Sequence, residues 1–180
     1  MKYHIHSIVS FLVATALLGF CLLGVLFHAS PAQAAIRQLE EAPGQTVYQS
    51  RQTVQDQHGD RWQAIAFKRI RPDGSTRFYL RLVGFPGTAA IDRSRPLTLT
   101  TSLGQSLTAL DASGQIFTNA AAPEPNVGQY DLQPIVSQLP TAIPLRLTLP
   151  VLNEGDRLLP VSPALIQEWK AVASNDHSEP

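Results

Sequence analysis

Five side chains between residues 67 and 81 carry the most chemistry in this 180-residue sequence: Phe67, Arg69, Arg77, Tyr79 and Arg81. Guanidinium groups pair bidentately with carboxylates and phosphates, which lysine ammonium groups do not. Set among aromatic rings they also stack, and arginine and tyrosine dominate the energetics of protein interfaces. The patch is a candidate docking surface for an anionic partner, either an acidic protein surface or an anionic membrane surface, with Phe67 and Tyr79 as apolar anchors.

The other reactive residue types assemble no catalytic machinery in the sequence. There is no G-x-S-x-G, S-x-x-K, H-E-x-x-H or phosphate-cradling glycine loop. His58 lies in a turn and His177 in the tail, neither with a second ligand at a metal-binding interval. Asp56 and Asp60 flank a turn without the ligand series of a calcium loop. Glu40–Glu41 and the Glu154/Asp156 pair read as surface carboxylates, and a carboxylate-based envelope hydrolase would need two acids to meet in space. No catalytic residue, cofactor or metal is expected. With 14 basic and 14 acidic residues and only 16% charged, the chain also lacks the strongly basic balance of a nucleic-acid binder.

The N-terminus has the layout of an export signal. Lys2 precedes an apolar run from Ile8 to Phe27, followed by the small-x-small site Ala32-Gln33-Ala34. The reading is a signal peptide over 1–34, with an uncleaved anchor as the alternative because the run is long enough to span a bilayer. Phe20 is too large for the position before a lipidated cysteine, which argues against lipidation at Cys21. Cleavage would remove that cysteine, the only one, so the mature chain would form no disulfide. Charge in the remainder is uneven: a net of −2 over 35–60, +6 over 61–95 and −5 over 96–180. The candidate patch falls in the cationic middle.

The patch needs a sheet to position it. Asx-Gly turn signals at Asp56–Gly59, Arg71–Gly74, Asp111–Gly114 and Asn153–Asp156 separate runs of β-formers at Thr46–Val54, Trp62–Ile70, Thr76–Phe85, Leu97–Thr101 and Ile143–Leu149. These predict a mainly β (α+β) fold, an antiparallel, curled sheet or partial barrel built from hairpins. Ser162 as N-cap, Pro163 at the first helical position, and Leu165, Ile166, Trp169 and Val172 on one face predict a C-terminal helix. A shorter helix is predicted over Asp131–Leu139. The domain is read as 35–173, with a disordered tail over 174–180.

A type I turn with a bulge at Gly74 sets the register of the central hairpin. It places Arg69 opposite Arg77, Phe67 opposite Tyr79, and Ile65 opposite Arg81. The other face, with Ala64, Ala66, Leu80 and Leu82, should point into the core. Like charges across a strand pair repel, so something must offset Arg69 against Arg77. An intramolecular answer is an acid from the C-terminal half, such as Glu168 on the helix, folding over the face; the other answer is an external anion.

Gln45–Gln52, Trp62–Lys68, Phe78–Gly87 and Asn126–Leu132 together resemble an uncharacterised cyanobacterial family of small exported proteins, over about Ala35 to Val172. The resemblance implies the periplasm or thylakoid lumen as compartment and supplies no activity, the family being a domain of unknown function. The expected function is a non-enzymatic exported binding or accessory protein, docking on a membrane-associated complex. Its rivals are a carrier of a small apolar ligand in a pocket on the Leu80/Leu82 face, and the envelope hydrolase.

Overall fold

A computed structural model of the chain describes residues 36–87, 89–116 and 124–175, which belong to one compact unit. The expected signal segment and residues 176–180 of the expected tail lie outside the described residues. Nine strands form one antiparallel sheet: β1 (Arg37–Ala42), β2 (Gln45–Gln55), β3 (Arg61–Ile70), β4 (Thr76–Gly84), β5 (Leu97–Thr101), β6 (Ser106–Asp111), β7 (Val127–Asp131), β8 (Leu145–Leu149) and β9 (Arg157–Val161). Their order across the sheet is β1-β2-β3-β4-β7-β6-β5-β8-β9. Among the described residues a single α-helix, α1 (Pro163–Ser174), follows.

The sheet curls so that its two halves share one core. Trp62, Ala64, Ala66, Phe78, Leu80 and Leu82 from one half join Leu97, Leu99, Leu147 and Leu159 from the other in a single buried cluster. The inward face predicted for the central hairpin is therefore the core face. Lys68 also lies on that side and is buried. The helix adds Leu165, Ile166, Trp169 and Val172, the four residues its periodicity singles out. Ser162 caps it as expected, its Oγ accepting from Leu165 N at 3.2 Å. Ser162→Ala should cost about 1 kcal/mol, read as a lower urea midpoint with unchanged slope.

The curl stops short of closure. β9 comes to lie beside β2, yet its free edge is already occupied. Gln57 in the β2–β3 turn accepts from Leu158 N at 2.7 Å and donates Nε2 to the carbonyl of Asp156 at 2.9 Å. Two residues on, where the next N–H would point the same way, stands Pro160, which has none. One side-chain amide and one proline thus blunt an edge that would otherwise invite pairing.

Two expectations need correction. The helix over 131–139 is absent: Asp131 ends β7, the Leu132 N–H is taken by the carbonyl of Phe78, and only a 3-10 turn forms at Val136–Gln138. The Asp131 carboxylate accepts from Gln133 N, and Pro134 and Pro140 leave too little chain between them for two helical turns. The apolar positions are still used, since Leu132, Ile135 and Leu139 are buried. Strands β1, β6, β7 and β9 also have no counterpart among the predicted runs.

β7 carries a tight spot. A Cβ at Gly128 would lie 3.1 Å from Ile91 Cδ1 and 3.2 Å from the Tyr130 hydroxyl, so a side chain there would push one of those groups aside by a few tenths of an ångström. That hydroxyl is buried without a hydrogen-bond partner among the described residues. Burial, reinforced by Asp111 and Asp92 and opposed by Arg93, pushes the Tyr130 phenol above its ordinary range and keeps it neutral. Because an unsatisfied buried hydroxyl costs about 1–3 kcal/mol, Tyr130→Phe should stabilise the protein by about 1 kcal/mol in urea unfolding.

Candidate functional site

Strand alternation turns the odd-numbered residues of β2, β3 and β4 outward. The β3–β4 register is the one set by the turn: Arg69 faces Arg77, Phe67 faces Tyr79 and Ile65 faces Arg81. Gly74 takes φ of 77° and donates its N–H to the Arg71 carbonyl at 2.9 Å, while Arg71 N bonds the Ser75 carbonyl. Register and alternation across β1–β4 place six arginines on the outer side, Arg37, Arg51, Arg61, Arg69, Arg77 and Arg81. Among the described residues of those strands the same side carries one carboxylate, Glu41. Three of the six are missed by reading the hairpin alone, because Arg37, Arg51 and Arg61 join them only through pairing of distant segments and at the far end of β3.

Phe67 and Tyr79 do not lie open as apolar anchors. Their exposures are 3% and 1%, and with Val47 and Ile65 they form a second, smaller apolar cluster on the outer side. The rings meet at 5.5 Å between centroids, and the Phe67 ring is approached by the guanidinium of Arg69 at 5.5 Å and of Arg81 at 5.1 Å. Burial follows from the neighbours: arginine stems lie along apolar surface while their heads stay at its boundary. The Tyr79 hydroxyl donates to Gln115 Oε1 at 2.8 Å. The rings are thus a platform under the arginines rather than contact groups themselves.

Each guanidinium is held differently. Arg69 makes a two-point pair with Glu41, Nε to Oε2 at 2.9 Å and Nη2 to Oε1 at 3.2 Å. Glu41 sits at a register shift in β1, which aims it across β2. The expectation that Glu168 folds over this face is wrong: Glu168 lies on α1 and accepts from Ser50, an inward-facing residue, at 2.8 Å. Arg81 donates Nε and Nη2 to Gln129 Oε1 at 3.2 and 2.9 Å. Its partners are neutral, and burial followed by repulsion from Arg69 and Arg51 lowers its pKa from the ordinary arginine value, with Glu41 opposing in part. Among the described residues, exposed Arg77 reaches only the Thr76 carbonyl at 3.3 Å and exposed Arg51 only Gln63 Oε1 at 3.2 Å.

The remaining candidate residues are engaged elsewhere or open to solvent. Glu154 pairs with Arg157, and Asp156 holds Arg95 at 2.8 and 2.9 Å. Asp56 is buried against Arg157 and Trp62, with no second acid bonded to it among the described residues. His58 is exposed, and His177 lies outside the described residues. Among the described residues no group of three or more His, Cys, Asp or Glu comes together. Leu80 and Leu82, expected by the carrier reading to line a pocket, are fully buried in the packed core.

Fold and site define a class: an open, curled antiparallel sheet of nine strands with one C-terminal helix, bearing an arginine-rich outer face. Within it, the chain belongs to the family described as Protein of unknown function (DUF3122), which it matches over residues 34–172. No curated protein and no solved structure matches the chain.

Proposed function

We propose that the protein is exported and acts as a non-enzymatic binding or accessory protein, docking its outer arginine face on an acidic protein surface at a membrane. The arrangement that supports this is six arginines on one side of β1–β4 against one carboxylate of those strands, Glu41, and Asp131 of the adjoining β7 beside Tyr79, among the described residues. Such an excess is repulsive in the free protein, and Arg81, half-buried with no acid bonded to it, is destabilised as a cation by burial and then by repulsion from Arg69. A partner carboxylate would relieve that repulsion, a gain available only on docking. Glu41 on Arg69 is an internal example of the pairing the neighbouring forks offer. It also favours a protein partner over lipid, since the face takes a carboxylate in two-point geometry and its two rings are too buried to enter a bilayer. Export rests on the N-terminal signal pattern, and the periplasm or thylakoid lumen of a cyanobacterium on the family resemblance.

The test is capture from native membranes at low and at high salt, followed by mass spectrometry. An acidic protein retained at low salt and released at high salt is expected, because exposed charge pairs are screened within about 8–10 Å near physiological ionic strength. Capture indifferent to salt, or binding to anionic lipid vesicles with no protein retained, would contradict the reading.

A further inference from the structure

A second arginine stands apart from that face. Arg146 lies in β8, with Thr100 of β5 on one side and Pro160 of β9 on the other, on the outer surface of the opposite half of the sheet. It is exposed and has no ion pair or hydrogen bond among the described residues, whereas Arg69, Arg95 and Arg157 each hold an acid. It borders a cleft of about 410 Å³, whose lining includes Thr100, Ser102, Pro144, Leu158 and Pro160, with the Gln55–Gln57 segment as one wall. That volume lies within the usual range for small-molecule sites.

The walls are fixed before any ligand arrives. Gln57 is clamped to the Leu158 N–H and the Asp156 carbonyl, and two proline rings shape the apolar part. Asp56 lines the wall, but its carboxylate is already taken by the Trp62 indole N–H, by Arg157 and by the backbone N–H groups of His58 and Asp60. The cleft therefore offers one uncompensated guanidinium, the hydroxyl of Ser102, that of Thr100, which already shares a hydrogen bond with Ser106 Oγ at 3.1 Å, and an apolar floor. One guanidinium with neutral donors beside it matches a monoanion; a phosphate dianion would call for more charge.

We propose that this cleft binds a small carboxylate with an apolar tail, the carboxylate on Arg146 and the tail along Leu158, Pro144 and Pro160. The site does not rest on the docking reading: it shares Gln55 of β2 with that face but none of its arginines.

The test uses the full chain with decanoate below its micelle concentration, followed by calorimetry and by amide chemical shifts. Decanol serves as the uncharged control. Saturable decanoate binding is expected, with shifts at Thr100, Ser102 and Arg146 and a preference over decanol of about tenfold or more. Arg146→Gln should abolish that preference without moving the thermal midpoint, and Arg146→Lys should keep part of it. Equal affinity for decanoate and decanol, shifts confined to other surfaces, no saturation by about 1 mM, or an unchanged preference in Arg146→Gln would each overturn the proposal.

Discussion

Asp56→Ala should destabilise the protein by about 3–5 kcal/mol, a large share of the total for a domain of this size. Asp56 looks from the sequence like an ordinary turn residue, yet its side chain is fully buried. Oδ1 accepts from His58 N at 2.9 Å and Asp60 N at 3.0 Å, which holds the β2–β3 turn. Oδ2 accepts from Trp62 Nε1 at 3.1 Å and lies 3.4 Å from Arg157 Nε. One carboxylate therefore ties the turn, one of the two core tryptophans and the first residue of β9. Alanine would leave the indole N–H and much of the Arg157 charge buried without a partner, because Glu154, which also pairs with Arg157, is largely exposed. Asparagine retains an acceptor and should cost about half as much. Urea unfolding followed by tryptophan fluorescence measures both; a loss below about 1 kcal/mol for alanine would mean that solvent reaches the cluster.

Reversing Arg51 and Arg77 to glutamate should weaken partner binding by about 100-fold while leaving stability nearly unchanged. Both are exposed and hydrogen-bonded only to neutral oxygens, so the variant retains the core. In the complex each substitution removes one cation and adds a like charge facing the partner's acids, and disrupting a desolvated charge pair at an interface costs about 2–5 kcal/mol. Arg81 is a poorer choice for this experiment, since its guanidinium is half-buried over Phe67 and bonded to Gln129, and reversal there would disturb the fold. Titration against the captured partner at two salt concentrations checks the result. The loss should shrink at high salt, where the wild type also weakens.

Much of the sheet was legible because its signals are local. The β3–β4 register follows from one turn, Arg71 to Gly74, and every side chain on that hairpin then has an assigned face. The C-terminal helix is equally local, set by its cap, its proline and four apolar residues. What stayed hidden depends on distant pairing. β1 is exposed along its whole length and shows no apolar alternation, so neither the strand nor Glu41 on Arg69 could be foreseen. β7 contains Gly128, a weak strand former, and sits between β4 and β6. β9 carries Pro160, which reads as a break until its edge position makes the missing N–H an advantage. The burial of Phe67 and Tyr79 is a similar case, because alternation assigns a face and says nothing about the height of the arginines around it.

The central claim is that the outer arginine face is where a partner sits, and site-directed photocrosslinking in native membranes tests it most directly. The probe belongs at Thr53, an exposed position on the same side of β2 as Arg51, with a matched probe at Thr108 on the outer side of β6. A salt-sensitive adduct from Thr53 to an aspartate- or glutamate-rich protein segment, absent from Thr108, is the predicted result. Equal adducts from both positions, or adducts from Thr108 alone, would contradict the account.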